Sequence, residues 1–257
     1  VEALVDSLAP SGILLRGDSR QRRESGLPDD LQVVYGEVPE RVALEENGVR
    51  FEAPVFSGQK TGWFYDHRFN RAGLARYAPG ARVLDVYSYI GGWGVQAAAF
   101  GAESVCCIDR SDEALAGVAR NTELNGLATP VRCIAGNADR AMQELDAAGE
   151  RFSLVVVDPP AVVQRRRDLA KGLKAYRRIN ALARELLPPG GLLVTASCSM
   201  HVGTADLLEA VNGAAQRTGR QLQVLEFGGQ GPDHPVHPAI PETRYLTSLV
   251  AVVSPAG

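Results

Sequence analysis

The stretch of residues 81–109, ARVLDVYSYIGGWGVQAAAFGAESVCCID, constrains the fold of this chain more than any other. It opens with the apolar run VLDV, which is typical of a buried parallel strand. A glycine-rich turn, an alanine-rich segment of helical composition and a second apolar run ending in Asp109 follow. Strand, glycine-rich turn, helix and strand in this order form the unit that binds nucleoside cofactors at the carboxyl edge of a parallel sheet.

The acidic residues of this unit favour one class of cofactor. Asp109, which ends the second strand, can hold both hydroxyls of a ribose, and its distance from Asp85 is near the ~20 residues expected of such units. The turn YIGGWG is not the dinucleotide pattern G-x-G-x-x-G, and a carboxylate at Asp85 would suit a pyrophosphate poorly. A ligand with a cationic amino-acid tail fits better, so S-adenosylmethionine (SAM) is the predicted cofactor. A dinucleotide, or no cofactor, is the alternative.

Composition limits the chain to an ordinary globular protein. Its 257 residues suffice for one large α/β domain, or for one domain with a small appendage. The sequence has no 18-residue apolar run and no signal-peptide pattern, so no membrane contact is expected and a cytoplasmic location is predicted. The chain does not begin with Met, which suggests that it was processed or trimmed.

The cysteines and the net charge limit which metals and which macromolecules the chain is expected to bind. Cys106, Cys107 and Cys133 lie in apolar runs and are interpreted as small, reduced core residues. There is no C-x-x-C pair and no nearby His pair, so no metal site is expected. A net charge of −3 argues against indiscriminate binding of polyanions, although a local basic patch can still recognise RNA.

The order of apolar and helical segments predicts the architecture. From residue 81 onward strands alternate with helices, which indicates a mostly parallel sheet with helices on both faces. Two successive strands near 221–227 and 244–253 predict an antiparallel hairpin at one edge. The expected organisation is a small α+β domain at 1–56, a connecting, cofactor-closing segment at 57–80 and a cofactor-binding domain at 81–257.

Two loops each allow two interpretations. The segment SGQKTGWFYDHRFNR at 57–71 mixes aromatic and charged residues, and either closes over an adenosine or packs as a hinge between domains. The loop GDSRQRRESGLP, together with Arg16 before it, carries four arginines. These arginines either lie in a solvated loop or contact phosphates.

Two polar residues stand at the ends of later strands. Asp158 follows the run FSLVVV and precedes two prolines, whereas Cys198 follows the strand GLLVTAS. Since parallel strands all point one way, both residues are expected at the same edge as the glycine turn. The structural alternatives are a turn or helix-capping role for Asp158 and apolar packing for Cys198. The functional interpretation is an acid and a thiolate nucleophile.

A thiolate and an acid beside SAM indicate one type of methyl transfer. C5 of a pyrimidine is a poor nucleophile, but addition of a thiolate to C6 turns the ring into an enamine or enolate whose C5 can attack the methyl group. A base then removes the C5 proton, and elimination releases the enzyme. For cytosine, an acid hydrogen-bonded at N3 supports the addition, and Asp158 is the candidate.

A basic stretch lies between these two residues. The segment QRRRDLAKGLKAYRR at 164–178 carries seven Arg and Lys residues against one acid, Asp168. This concentration suits RNA phosphates, and a solvated helix face is the alternative.

Five motifs together resemble the bacterial 23S ribosomal RNA large subunit methyltransferase I family, from about Arg16 to the end of the chain. They are GQKTGWFYDHR, LDVYSYIGGWG, VVVDPP, AYRRINALARELLPPGGLLVTASCS and DHPVHPAIPETRYL. The resemblance implies a Rossmann-like class I SAM-dependent methyltransferase that modifies C5 of cytosine. It implies Cys198 as nucleophile and Asp158 as the cytosine-binding acid. The positions that match the family's cofactor pocket are Lys60, Asp66, Arg68, Asp85, Ser88, Gly91, Asp109, Asn137 and Asp158.

The chain departs from that family in two ways. Its members usually begin with a small RNA-binding PUA domain, which is not recognisable here, so a shortened or a naturally short chain is expected. Asn137 stands where the family commonly has Asp, and its side chain can still hydrogen-bond an adenine edge. Related enzymes that methylate guanine lack the cysteine of SCS. The remaining alternatives are a uridine-C5 or other RNA-base methyltransferase and a non-catalytic SAM-binding accessory protein, as a monomer or a homodimer.

Overall fold

The computed structural model describes residues 1–17, 22, 25–26, 30–57, 62–215 and 220–255. Lys60 and most of the arginine-rich loop after Arg16 lie outside these residues. The chain divides into two compact units, the first comprising Val1–Leu44 with Glu52–Trp63 and the second Glu45–Phe51 with Phe64–Gly257. The three-part division with boundaries at 56 and 80 remains a prediction.

The described residues of the N-terminal part include a helix and four strands, as follows. Helix α1 spans Glu2–Leu8, and strands β1 (Gly12–Arg16) and β2 (Leu31–Gly36) pair antiparallel. Strands β3 (Arg41–Glu46) and β4 (Val49–Pro54) form a separate two-stranded sheet. Asn47 and Gly48 join them with φ angles of 55° and 79°, the left-handed conformation that two-residue hairpin turns require. The hairpin predicted from the Asn-Gly pair is confirmed.

The second unit carries seven further strands and six helices of five residues or more among the described residues. The strands are β5 (Arg82–Val86), β6 (Ser104–Asp109), β7 (Val131–Ala135), β8 (Leu154–Val157), β9 (Leu192–Ser197), β10 (Arg220–Gly229) and β11 (Thr247–Pro255). The helices are α2 (Arg68–Ala72), α3 (Gly94–Ala99), α4 (Asp112–Leu124), α5 (Ala138–Ala147), α6 (Leu169–Glu185) and α7 (Thr204–Ala215). Short 3-10 helices span Tyr65–His67, Gly73–Arg76, Arg166–Asp168 and Pro241–Thr243.

The seven strands form one sheet in the order β10-β11-β9-β8-β5-β6-β7. Strands β5 to β9 are mutually parallel, whereas β11 runs antiparallel to β9 and pairs antiparallel with β10. The predicted parallel sheet with an antiparallel hairpin at its edge is confirmed. The chain leaves β5 in one direction towards β6 and β7 and returns to add β8 on the other side. This reversal makes a crevice at the carboxyl ends of β5 and β8, where sheets of this type bind ligands.

Successive side chains of each strand point to opposite faces of the sheet. Helices cover both of these faces. Leu84, Cys106 and Ile108 face one side and pack in a core with α5, α6 and α7. On the other side, a Cβ atom built on Gly94 would lie 2.6 Å from Cys107 Sγ, so the first turn of α3 lies directly against β6. Helix α4 begins at Ser111, whose side chain accepts a hydrogen bond from the Ala114 N–H, as a predicted cap should.

One core assignment is wrong. Cys106 and Cys107 are buried as expected, but Cys133 is exposed. It lies on β7, which is the last strand at one edge of the sheet, and edge position reduces the cover that a side chain receives. Of the helices in the described ranges, none has the length and apolar character needed to cross a membrane.

Candidate cofactor and catalytic site

The polar residues singled out from the sequence lie at the carboxyl ends of adjacent strands. Asp109 ends β6, the glycine turn follows β5, Asp158 follows β8 and Cys198 follows β9. These four strands are neighbours in the order β9-β8-β5-β6, and neighbouring strands are about 4.8 Å apart. The sheet therefore brings the predicted acid, the predicted nucleophile and the predicted ribose-binding residue to one edge.

The turn after β5 is held in an unusual backbone conformation. Tyr87 and Tyr89 have φ angles of 69° and 49°, and bulky residues adopt positive φ only where the surrounding structure imposes it. Asp109 supplies part of that structure, because its Oδ2 accepts a hydrogen bond from the Tyr89 N–H at 2.8 Å and its Oδ1 accepts one from Ser111 at 3.0 Å. Strained backbone of this kind is typical of ligand-binding turns.

Asp85 is the most deeply buried acid of the site. Its Oδ2 accepts a hydrogen bond from the Gly94 N–H at 2.8 Å, while its Oδ1 has no hydrogen-bond partner among the described residues. Burial raises the pKa of Asp85 to about 7. Repulsion from Asp158 and Asp109 also raises this pKa, whereas the Gly94 hydrogen bond and the charge of Arg71 lower it. A buried carboxylate oxygen without a donor is costly. The site therefore fits a cationic group such as the ammonium of a SAM tail.

The other predicted cofactor residues differ in how closely they approach this edge. Ser88 is buried and lies in the turn with Gly91. Asp66 is buried, and its Oδ2 accepts a hydrogen bond from the Tyr245 hydroxyl at 3.0 Å, while its Oδ1 has no partner in the described part of the chain. Arg68 instead lies over the Tyr65 ring at 5.2 Å, with a guanidinium nitrogen 3.5 Å from Asp233.

Asn137 lies beside the ribose-binding candidate. It follows β7, and the N–H of the preceding Gly136 donates to the Asp109 carbonyl at 2.9 Å. Its side-chain oxygen caps α5 by accepting a hydrogen bond from the Arg140 N–H at 3.1 Å. The amide nitrogen of Asn137 stays exposed on the same edge, where it can donate to a ligand.

Asp158 lies against two aromatic side chains. Trp93 Nε1 donates to its Oδ2 at 3.0 Å, and His67 Nε2 lies 3.3 Å from its Oδ1. Burial raises the pKa of Asp158, but the neighbouring His67, the Trp93 hydrogen bond and Arg71 lower it by more, so that the net shift is downward. Asp158 is therefore held as a carboxylate, and the turn-or-cap interpretation does not account for these contacts.

Cys198 lies between two anchored serines. The Ser197 hydroxyl accepts a hydrogen bond from the Tyr176 hydroxyl at 2.8 Å, and the Ser199 hydroxyl accepts one from the Val163 N–H at 3.2 Å. Both serines are buried, whereas Cys198 is half-buried and forms no disulfide. Its Sγ lies 4.0 Å from the carbonyl oxygen of Pro159, the residue after Asp158. The loop that carries the acid therefore contacts the thiol.

Sequence reasoning missed the residues that support these groups. Four supporting side chains have no role assigned from the sequence: His67, Trp93, Tyr176 and Tyr245. They lie in segments that are rich in aromatic residues or that carry the family resemblance. Burial raises the pKa of Tyr245, and the carboxylate of Asp66, which accepts a hydrogen bond from this hydroxyl, raises it further. No local spacing joins Tyr245 to Asp66, since 179 residues separate them.

The basic stretch lies directly after the Asp158 loop. Five basic residues are exposed just before and within the 3-10 helix and in the first turns of α6: Arg165, Arg166, Arg167, Lys171 and Lys174. Two further arginines of the stretch are engaged within the protein, since Arg177 pairs with Glu209 and Arg178 pairs with Asp139. The unpaired charge of the stretch is thus concentrated at its N-terminal end, next to the Asp158 loop.

A family model described as S-adenosylmethionine-dependent methyltransferase matches residues 12–245. The chain belongs to the S-adenosylmethionine-dependent methyltransferase family. Membership of this methyltransferase family confirms the prediction of SAM as the cofactor.

Relatives support the finer resemblance seen in the motifs. Ribosomal RNA large subunit methyltransferase I of Aeromonas salmonicida is 38% identical over 237 residues, which cover 91% of this chain and 60% of that protein. The protein of the same name from Vibrio cholerae is 35% identical, over 98% of this chain and 65% of its own length. The predicted resemblance is confirmed, and the chain spans 60–65% of the length of these two relatives.

Solved structures agree on the fold of this chain. A putative SAM-dependent methyltransferase from Streptococcus mutans has a TM-score of 0.77 at 20% identity, over 86% of this chain and 58% of that one. Trm5b from Pyrococcus abyssi has a TM-score of 0.70 at 17% identity, over 98% and 67%. Together with the strand order, these similarities confirm the predicted Rossmann-like class I methyltransferase fold.

Proposed function

We propose that this protein transfers the methyl group of SAM to C5 of a cytosine in 23S ribosomal RNA, through a covalent adduct between Cys198 and C6. One observation carries the proposal. A half-buried thiol and an ionised acid stand at the ends of two adjacent parallel strands, and the Cys198 Sγ contacts the Pro159 carbonyl of the acid's own loop. The relatives named ribosomal RNA large subunit methyltransferase I support the choice of RNA.

The residues at the edge suit the cofactor. Asp109, at the end of β6, is the candidate for the ribose hydroxyls, and the buried Oδ1 of Asp85 is the candidate for the ammonium group. The proposed pocket also includes Asp66, Arg68, Ser88, Gly91 and Asn137, whereas Lys60 remains a prediction from the sequence. When bound, SAM supplies an electrophilic methyl group on its sulfonium.

The protein's own groups account for the activation of cytosine. The Cys198 sulfur forms a bond to C6, and the electron pair displaced from the ring is taken up at N3, which gains a proton. This proton balances the one that the thiol loses. As a carboxylate, Asp158 can accept hydrogen bonds from protonated N3 and from the N4 amino group at once, so it favours the ring after addition.

The final steps restore the aromatic ring. The electron pair of the C4=C5 enamine forms the bond between C5 and the methyl carbon, and the bond between that carbon and the sulfonium breaks, which leaves a neutral thioether. A base then removes the C5 proton, and the pair from that C–H bond forms the C5=C6 double bond and expels the Cys198 sulfur from C6. The N3 proton returns to the thiolate, so the thiol is regenerated, and the ring has exchanged its C5 proton for the methyl group.

The exposed basic residues at 165–174 support a polyanionic substrate, because RNA phosphates attract clustered Arg and Lys. Their position directly after the Asp158 loop suits a nucleotide that enters beside the acid.

A ribosomal substrate is found in the cytoplasm, so the cytoplasmic location predicted from the sequence is part of the same proposal. A homodimer remains a separate hypothesis, which light scattering on the purified protein tests.

The deciding experiment is a covalent trap. The protein is incubated with SAM and RNA that contains 5-fluorocytidine, whose fluorine cannot leave as a proton, so the adduct persists. We expect a denaturant-resistant protein–RNA species that maps to Cys198 by mass spectrometry. Cys198→Ala should form none, whereas Cys133→Ala, which removes an exposed thiol on β7, should form as much as wild type.

Three other outcomes would redirect the assignment. A wild-type protein that methylates RNA without forming the adduct would refute the thiol mechanism. Nucleoside analysis that showed 5-methyluridine instead of 5-methylcytidine would favour the uridine alternative. SAM binding without any methylated product would favour the role of an accessory protein.

A further inference from the structure

Asn70 has a fixed orientation beside the acid. Its Nδ2 group donates one hydrogen bond to the Gly229 carbonyl at 3.0 Å and lies 3.1 Å from His67 Nδ1. Gly229 ends β10, and a Cβ atom at the neighbouring Gly228 would lie 2.3 Å from Asn70 Oδ1, so the amide lies tightly against this strand. A flipped Asn70 would place its oxygen against the Gly229 carbonyl oxygen, which is repulsive. The amide nitrogen therefore faces His67.

This orientation decides where the His67 proton lies. Because the Asn70 amide is a donor, His67 Nδ1 must accept, and the single ring proton of a neutral imidazole then stands on Nε2. His67 Nε2 lies 3.3 Å from Asp158 Oδ1, while Trp93 Nε1 donates to Oδ2. Trp93 therefore donates to one carboxylate oxygen, whereas His67 Nε2 contacts the other without the geometry of a hydrogen bond. Such contacts often tighten when substrate binds.

We propose that His67 is a positioning residue for Asp158, set in its Nε2–H form by Asn70, and that together with Trp93 it fixes the plane in which the carboxylate meets the pyrimidine. The inference rests on the proposed function for its catalytic meaning. With Trp93 hydrogen-bonded to Oδ2 and His67 Nε2 in contact with Oδ1, each oxygen still has a lone pair available to a ring that presents two donors side by side. Cytosine protonated at N3 presents N3–H and N4–H in this way, whereas uracil presents a carbonyl oxygen at C4.

Packing alone is the competing explanation for a buried histidine. The His67 ring meets the Trp93 ring edge-on, with centroids 5.3 Å apart, and its side chain is 4% exposed. Two variants separate packing from hydrogen bonding. His67→Phe keeps an aromatic ring and removes the donor, while His67→Gln removes the ring and keeps an N–H group near the Nε2 position.

The first arm of the test does not depend on RNA. Nitrogen-15 NMR of the imidazole groups reports directly which ring nitrogen carries the proton, and the chain has four histidines, so His67→Gln assigns the signal. We expect the Nε2–H form for His67 in wild type and a mixture of forms in Asn70→Leu. A wild-type His67 with its proton on Nδ1 would overturn the inference.

The second arm measures methylation. We expect His67→Phe to lower kcat by about 10- to 100-fold, the effect of losing a hydrogen bond to a charged group, with little change in SAM affinity. His67→Gln should recover most of this loss and keep the preference for cytosine. Equal losses in the two variants would show a packing role and refute the positioning role. If wild type methylates no RNA, the proposed function fails, while the NMR arm still decides the state of His67.

Discussion

Two carboxylates at the ends of neighbouring strands are held in opposite states by their surroundings. Asp85 is wholly buried with one hydrogen-bond donor among the described residues, and its pKa is raised to about 7. Asp158 has His67 and Trp93 at its two oxygens, and its pKa is lowered despite burial. Environments that push the pKa values of paired acids apart are typical of sites where each acid has a different task.

The raised pKa of Asp85 predicts how stability depends on pH without cofactor. The folded protein holds this proton between about pH 4 and 7, where the unfolded chain has lost it, so Asp85 contributes less to stability as pH rises through this range. A shift of about three pKa units corresponds to at most about 4 kcal/mol. Replacing Asp85 by Asn should remove this loss.

Chemical denaturation of wild type and Asp85→Asn between pH 4.5 and 8 measures the effect, since the difference between the two isolates Asp85 from other groups. We expect the variant to gain stability relative to wild type as pH rises, and to level off above about pH 7. A difference that does not change with pH would show that Asp85 titrates normally.

At the scale of elements, the end of strand β3 is tied to helix α2 by a buried ion pair. Arg71 Nε donates to Glu46 Oε1 at 2.6 Å and Arg71 Nη2 to Glu46 Oε2 at 3.0 Å, and both residues are almost fully buried. Gln96 of α3 donates to the same carboxylate at 2.9 Å. The short helix α2 follows the His67 turn, so this network fixes the segment that carries His67 and Asn70.

Breaking this pair should be strongly destabilising. We expect Glu46→Gln to cost about 3–5 kcal/mol in the free energy of unfolding, because it leaves the Arg71 charge buried without its counter-ion. Urea denaturation measures the loss. The matched control is Arg76→Gln, which removes an exposed pair with Glu226 and should cost no more than about 1 kcal/mol. Similar costs for the two variants would contradict the role assigned to burial.

At the scale of the whole molecule, the distribution of charge matters more than its sum. The chain has a net charge of −3, but exposed Arg and Lys residues cluster beside the Asp158 loop at 165–174. Arg177 and Arg178 in the same stretch are neutralised by Glu209 and Asp139. An acidic protein can therefore present one basic surface to RNA at the edge that holds the proposed nucleophile.

Neutralising Arg165, Arg166 and Arg167 to Gln should weaken RNA binding and leave SAM affinity unchanged. Each lost phosphate contact should reduce the slope of log affinity against log salt by about 0.7 for single-stranded RNA. Filter binding at several salt concentrations measures both. Arg140→Gln, an exposed arginine on α5 that pairs with Glu144, is the control and should change neither. An unchanged slope in the triple variant would exclude the basic stretch as the RNA contact.

Local patterns in the sequence were enough to predict the strands, the glycine turn, the Asn-Gly hairpin and the three strand-end residues Asp109, Asp158 and Cys198. Each depends on neighbours a few residues away, through side-chain periodicity and turn geometry, and these are short-range effects. The shared direction of parallel strands then placed those residues at one edge without further information.

Tertiary structure alone decided the surroundings of those residues. The Asn70 contact with Gly229 and the Tyr245 contact with Asp66 join positions 159 and 179 residues apart, and no periodicity connects them. The positive φ angles of Tyr87 and Tyr89 run against the local preference of bulky side chains. The exposure of Cys133 follows from the position of β7 in the sheet. Strand order and packing depend on the free energy of the whole fold, so the protonation states of Asp85 and Asp158 are properties of the assembled site and not of its motifs.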